Sequence, residues 1–215
     1  MSADLAELER RCECVLARQA GDAAHGLEHV RRVVREARRL AAAEGARLEV
    51  VVPAAWLHDC VTVPKDSPQR LQASRLAAEQ AVAWLREWTY PAELLPEIAH
   101  AIEAHSFSAG LAPRTVEAKV VQDADRLEAL GAVGLARCLM LGGELGRPLY
   151  AREDPFCDRR APDDHAATVD HFYSKLLKLE ATMQTAGGRR EARVRTDFLR
   201  EFLQELQREL RSVQG

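Results

Sequence analysis

Apolar residues recur at three- and four-residue steps along nearly the whole chain, a periodicity that restricts it to packed amphipathic helices. Leu5, Leu8, Cys12, Val15 and Leu16 mark a first helix, and Leu27, Val30, Val34, Ala37 and Leu40 a second. A third is expected from near Pro53, a residue tolerated in a first turn, to His58 or Asp59. Pro64 and Pro68 in the polar stretch VPKDSPQR end it. A fourth starts near Leu71 and carries Leu76, Ala77, Ala81 and Leu85. Pro91 to Ala104 reads as another helix, followed by the loop HSFSAGLAP. Thr115 to Leu139 reads as one more, with Val120, Val121, Ala124, Leu127 and Leu130 facing inward. Residues 142–163 hold Gly142, Gly143, Gly146, Pro148, Pro155 and Pro162 and form an irregular loop, of a length usual for functional or mobile segments. Two last helices, at about 165–184 and 188–212, flank Gly187-Gly188, and Asp164 is expected to cap the first of them. LEVVVPA is the only alternation resembling a strand, and it leads straight into a helix. The expected class is all-α: a single domain over 1–215, with a core at about 20–140 and a helical extension at about 164–213.

With 215 residues, 47% of them apolar, the chain can bury a sizeable core. A net charge of -3, with acids and bases mixed, argues against coating a nucleic-acid polymer or anchoring to a membrane surface. No apolar run approaches the roughly 20 residues of a membrane helix. The opening MSADLAELERR lacks a signal-peptide core, and the five cysteines include no CxxC pair. A cytoplasmic protein with reduced thiols is expected, with Cys12 and Cys138 filling core space. The last helix, with Phe198, Phe202, Leu203 and Leu206 on one side, could support the structure or form a homodimer.

Polar residues interrupt these apolar patterns in three places. His58-Asp59 closes the apolar helix AAWLHDC, and two neighbouring side chains converge most easily where a helix ends. His29 lies four residues after His25 in HGLEHVRRV, a spacing that puts both imidazoles on one helix face. Asp123 and Asp125 sit inside VVQDADRLEAL, where a buried carboxylate needs a cation, a metal or a hydrogen-bond donor. The order H…HD…D says more than its parts. Two imidazoles and two carboxylates suit Mn²⁺, Fe²⁺, Zn²⁺ or Ni²⁺, and Mg²⁺ less comfortably.

This order, with the stretches LHDCVTVPKDSPQRLQASRLAAEQA, EAHSFSAG, EAKVVQDADRLEALGAVGLAR and DHFYSKLLKLEATMQTAGGRREA, resembles the HD-domain phosphohydrolases. The resemblance implies an HD-type helical bundle with additional C-terminal helices. It implies a divalent cation, Mn²⁺ favoured, held by His29, His58, Asp59 and Asp125. Asp123 competes for the last place. Asp125 is preferred because the family's terminal acid precedes one residue and then a leucine, as in Asp125-Arg126-Leu127. The bacterial subgroup that the longer stretches resemble implies pyrophosphohydrolysis of nucleoside triphosphates. Cyclic-dinucleotide hydrolysis is disfavoured, since Cys60-Val61 replaces the Gly-Lys step of those enzymes and no GYP element is present.

Catalysis of phosphoryl transfer also needs cations beside the metal. Lys65 and Arg70 follow the HD pair and fit that role; Arg75 belongs equally well to a polar helix face. His105 could protonate a leaving group or bind phosphate, while His100 reads as structural. Asp59 could orient the attacking water. His25, Arg70, Arg126, Tyr173 and Lys175 are the candidate substrate contacts. A phosphomonoesterase of the 5′-nucleotidase type and a non-catalytic nucleotide-binding regulator are the alternatives.

Overall fold

The computed structural model describes residues 4–18, 26–63, 70–106 and 109–212, the side chains of Arg70 and Ser212 excepted. Among them are nine α-helices, four short 3-10 turns and no strand, so the all-α expectation holds. None of the helices is long and apolar enough to cross a membrane. The chain divides into two compact units, Met1–Asp125 with Gln184–Gly188, and Arg126–Met183 with Arg189–Gly215.

The first unit is built around α3 (Leu48–Leu57), in which every residue from Val50 to Leu57 is buried. A helix apolar on all sides must be enclosed. α1 (Leu5–Ala17), α2 (Leu27–Glu44), α4 (Ala73–Glu87) and α5 (Leu95–His105) all pack against it. Asp4 caps α1 by accepting from the Ala6 and Glu7 amides, and Gly45 ends α2 in the left-handed conformation at φ 69°. α6 (Val116–Leu127) begins in this unit, where Thr115 Oγ1 accepts from the Ala118 amide at 3.1 Å.

α3 starts five residues earlier than the proline suggested, and the candidate strand LEVVVPA is its first half. Pro53 therefore stands inside the helix, where it cannot donate to the carbonyl of Glu49. The hydroxyl of Tyr90 donates to that carbonyl instead, at 2.7 Å. A long-range side chain thus replaces the missing helical bond.

The expected helix over Thr115–Leu139 is two helices, because Gly131 adopts φ 67° and starts α7 (Gly131–Glu144) in the second unit. A Cβ on Gly131 would come within 3.1 Å of the Arg195 side chain, whose Nη1 donates to the Leu127 carbonyl at 2.9 Å. Gly142 and Gly143 are helical, and Cys138 is only half-buried.

The expected helix over 165–184 is a short α8 (Asp170–Ser174) followed by 3-10 turns at Leu176–Lys178 and Glu180–Thr182. Asp164 does not cap it. Its carboxylate takes the His171 Nδ1 proton at 2.8 Å and the Ser174 hydroxyl. The irregular segment before α8 is held by two buried acids. Asp154 accepts from the amides of Asp158, Arg159 and Arg160, and Asp170 binds the Arg160 guanidinium through both oxygens at 2.5 and 2.7 Å.

α9 (Ala186–Ser212) contains Gly187-Gly188 in its first turn rather than following them. A Cβ on Gly188 would lie 2.3 Å from Asp123 Oδ2, so only glycine admits that carboxylate.

Candidate metal centre

The site forms where the helices of the first unit end. His58 follows the last residue of α3, and Asp59 turns away with the chain as the Cys60 amide bonds back to the Leu57 carbonyl at 3.2 Å. His105 is the last residue of α5, His29 lies in the first turn of α2, and Asp125 near the end of α6. The imidazoles are buried, with side-chain exposures of 3% for His29, 0% for His58 and 6% for His105. The carboxylates of Asp59 and Asp125 are more open, at 36% and 26%.

Two histidines are oriented by the same local device. His58 Nδ1 lies 2.8 Å from the Ala55 carbonyl, and His105 Nδ1 lies 2.6 Å from the Ile102 carbonyl. The last carbonyls of a helix have no donor in a following turn. An imidazole three residues on can supply one, which fixes the ring and directs Nε2 away from the helix.

Those nitrogens and the carboxylates converge. His29 Nε2 is 3.5 Å and His58 Nε2 3.7 Å from Asp125 Oδ1. His58 Nε2 is 3.5 Å from Asp59 Oδ2, and His105 Nε2 is 3.5 Å from Asp59 Oδ1. The His58 ring meets those of His29 and His105 edge to face, at centroid distances of 5.6 and 4.9 Å. Donor groups His29–His58–Asp125 and His58–Asp59–His105 each lie within 4.8 Å and share His58.

These separations exceed an ordinary hydrogen bond. They approach the roughly 3.0–3.4 Å between adjacent ligands that sit about 2.1 Å from one ion. His58 Nε2 is fully buried and has no hydrogen-bond partner among the described residues. Burial lowers the pKa of that ring and so disfavours a proton on Nε2. The donor set therefore fits a borderline divalent cation.

The carboxylates and the rings also tune one another. Burial opposes ionisation of Asp125, but the imidazoles of His29, His58 and His105 around it favour the carboxylate and hold its pKa well below the usual range. Burial likewise opposes protonation of His105. The carboxylate of Asp59 beside the ring, together with Asp125, outweighs it and raises the pKa to about 9.

Asp123 occupies a different place. It is fully buried and faces the start of α9, accepting from the amides of Gln184 and Thr185 at 2.9 and 2.8 Å and from Thr185 Oγ1 at 2.7 Å. Asp125, not Asp123, joins the imidazoles.

Lys65 and His25 lie outside the described residues, as does the side chain of Arg70. Arg75 is on a polar helix face, bonded to Gln72 Oε1 at 3.0 Å. His100 Nε2 accepts from the Arg114 amide at 3.0 Å, as befits a structural residue. Arg126 belongs to the second unit, where its Nη1 donates to the Thr182 carbonyl at 2.9 Å. Half-buried Tyr173 and exposed Lys175, on and just after α8, belong to that unit too. Sequence reasoning missed the shared orienting device of His58 and His105. Its signal is a histidine closing an apolar helix, in AAWLHD and again in AIEAHS.

A family model described as HD domain matches residues 26–130, a span that includes His29, His58, Asp59, His105 and Asp125. The chain is 31% identical over 193 residues to YpgQ of Bacillus subtilis, an uncharacterized protein, covering 88% of this chain and 86% of that one. The crystal structure of B. subtilis YpgQ in complex with ADP is similar, at 30% identity and a TM-score of 0.74, covering 95% of this chain and 94% of that one. A crystal structure of an HD-superfamily hydrolase from Bacillus thuringiensis matches at 30% identity and a TM-score of 0.75, over 96% of both chains.

Proposed function

The chain belongs to the HD-domain superfamily and is a metal-dependent phosphohydrolase, and from that premise we propose that it splits nucleoside triphosphates into monophosphate and pyrophosphate. The nucleotide is carried by one observation, the ADP held by the 30% identical YpgQ. The choice of the α–β bond comes from the resemblance of the longer sequence stretches to pyrophosphohydrolases. Mn²⁺ is the cation we favour, and the free nucleotide pool of the cytoplasm is the setting.

His29, His58, Asp59 and Asp125 would hold the cation, which when bound supplies an activated water and polarises the phosphoryl group. Asp59 has its two oxygens divided between His58 and His105. It is also partly exposed, so it can orient the attacking water. His105 Nε2 would donate to a phosphate oxygen and offset charge that grows in the transition state. Lys65 and Arg70 would add positive charge after the HD pair. His25, Arg126, Tyr173 and Lys175 are the substrate contacts we put forward, each testable by its effect on KM.

The test is a panel of ribo- and deoxynucleoside triphosphates with Mn²⁺, resolving pyrophosphate from inorganic phosphate, with Asp59→Ala alongside. Pyrophosphate that disappears in the variant is the expected result. Inorganic phosphate alone would replace this reading with a phosphomonoesterase. Nucleotide bound without turnover would replace it with a regulator.

A further inference from the structure

α5 and α6 each bring a residue to the metal centre, His105 at the end of one and Asp125 near the end of the other. A buried amide joins them. Gln122, 2% exposed, donates from Nε2 to the Ala104 carbonyl at 2.6 Å. Ala104 directly precedes His105. Gln122 precedes Asp125 by three residues, so the two side chains leave α6 on the same side, one turn apart.

The Ala104 carbonyl is one of those left without a helical donor at the end of α5. Its neighbour Ile102 is bonded by the His105 ring itself. Both bonds bear on one turn: one aims the His105 imidazole, and the other fixes that turn against the helix of Asp125.

Stability alone does not account for an amide here. Gln122 Oε1 is buried and has no partner among the described residues. A half-satisfied buried amide is destabilising relative to a satisfied one. A methionine of similar volume would fill the same space without that cost.

We propose that Gln122 is a positioning residue of the metal centre, setting the distance between His105 and the Asp125 helix through the Ala104 carbonyl. It touches neither cation nor substrate and acts through the backbone next to His105. This rests on the metal-centre reading but not on the identity of the substrate.

The test is a Mn²⁺ titration of the metal-stripped full chain by calorimetry, without nucleotide. It compares wild type, Gln122→Met, His105→Gln and the double variant, with the melting temperature of each metal-free protein. His105 Nε2 stands 3.5 Å from Asp59 Oδ1 and so orients a ligand; through it Gln122→Met is expected to weaken Mn²⁺ binding about tenfold, within the usual range for residues that orient metal ligands. Its metal-free melting temperature should be unchanged or higher. In the His105→Gln background the same substitution should have no further effect, because coupled residues are non-additive. An unchanged affinity in Gln122→Met, or an equal loss in both backgrounds, would overturn the proposal. Should Gln122→Met not fold, Gln122→Leu removes the same donor with a smaller apolar side chain and is read by its Mn²⁺ affinity in the two backgrounds. No Mn²⁺ binding by wild type would overturn the metal-centre reading itself.

Discussion

Two aspartates separated by one residue have opposite tasks. Asp123 is enclosed by donors from the start of α9, while Asp125 faces His29 and His58. Substituting each by alanine should separate those tasks. Asp123→Ala removes a buried acceptor of several bonds and should cost about 3 kcal/mol in denaturant unfolding, with Mn²⁺ affinity retained by the folded fraction. Asp125→Ala should weaken Mn²⁺ binding by more than about 100-fold with a smaller loss of stability. The reverse pattern would make Asp123 the ligand. The order H…HD…D was visible in the sequence and the resemblance favoured Asp125, but what Asp123 does instead was not legible. On periodicity alone both acids interrupt an apolar helix. Only the distant segment 184–188 determines which of them is consumed by backbone amides.

At the scale of elements, periodicity located the helices and failed where one residue is supported from far away. Pro53 reads as a helix start because its missing N–H is harmless in a first turn. It sits mid-helix because Tyr90, 37 positions further on, bonds the Glu49 carbonyl. Tyr90→Phe should therefore cost about 1–2 kcal/mol by leaving that carbonyl without a donor. In a Pro53→Ala background the cost should shrink, since the alanine amide can itself donate to the Glu49 carbonyl. A double-mutant cycle by urea unfolding checks this, and an additive result would break the link. The split at Gly131 escaped detection for a related reason. Glycine is tolerated in a helix interior, and periodicity does not reveal that this one takes the left-handed conformation beside the distant Arg195 side chain.

Over the whole molecule, the metal centre is contained in the first unit, and the second is held by buried acids paired with arginine and backbone amides. Burial opposes ionisation of Asp170, but Arg160 and the Asp163 amide outweigh it and depress the carboxyl pKa. A depressed carboxylate stabilises the fold fully above its unfolded pKa of about 4 and loses that contribution as pH falls through the folded value. Wild type and Asp170→Asn should thus differ most in urea midpoint at pH 7, and the gap should narrow in acid. A gap independent of pH would show that the charge of Asp170 is not what matters.

The central claim is that the four residues of the H…HD…D order bind one divalent cation. Anomalous diffraction at the manganese edge, from crystals grown with Mn²⁺, tests it most directly. The account predicts one peak bounded by His29 Nε2, His58 Nε2, Asp59 and Asp125 Oδ1, with Asp123 still bonded to Thr185. A peak on Asp123, or none among these residues in crystals saturated with Mn²⁺, would contradict it.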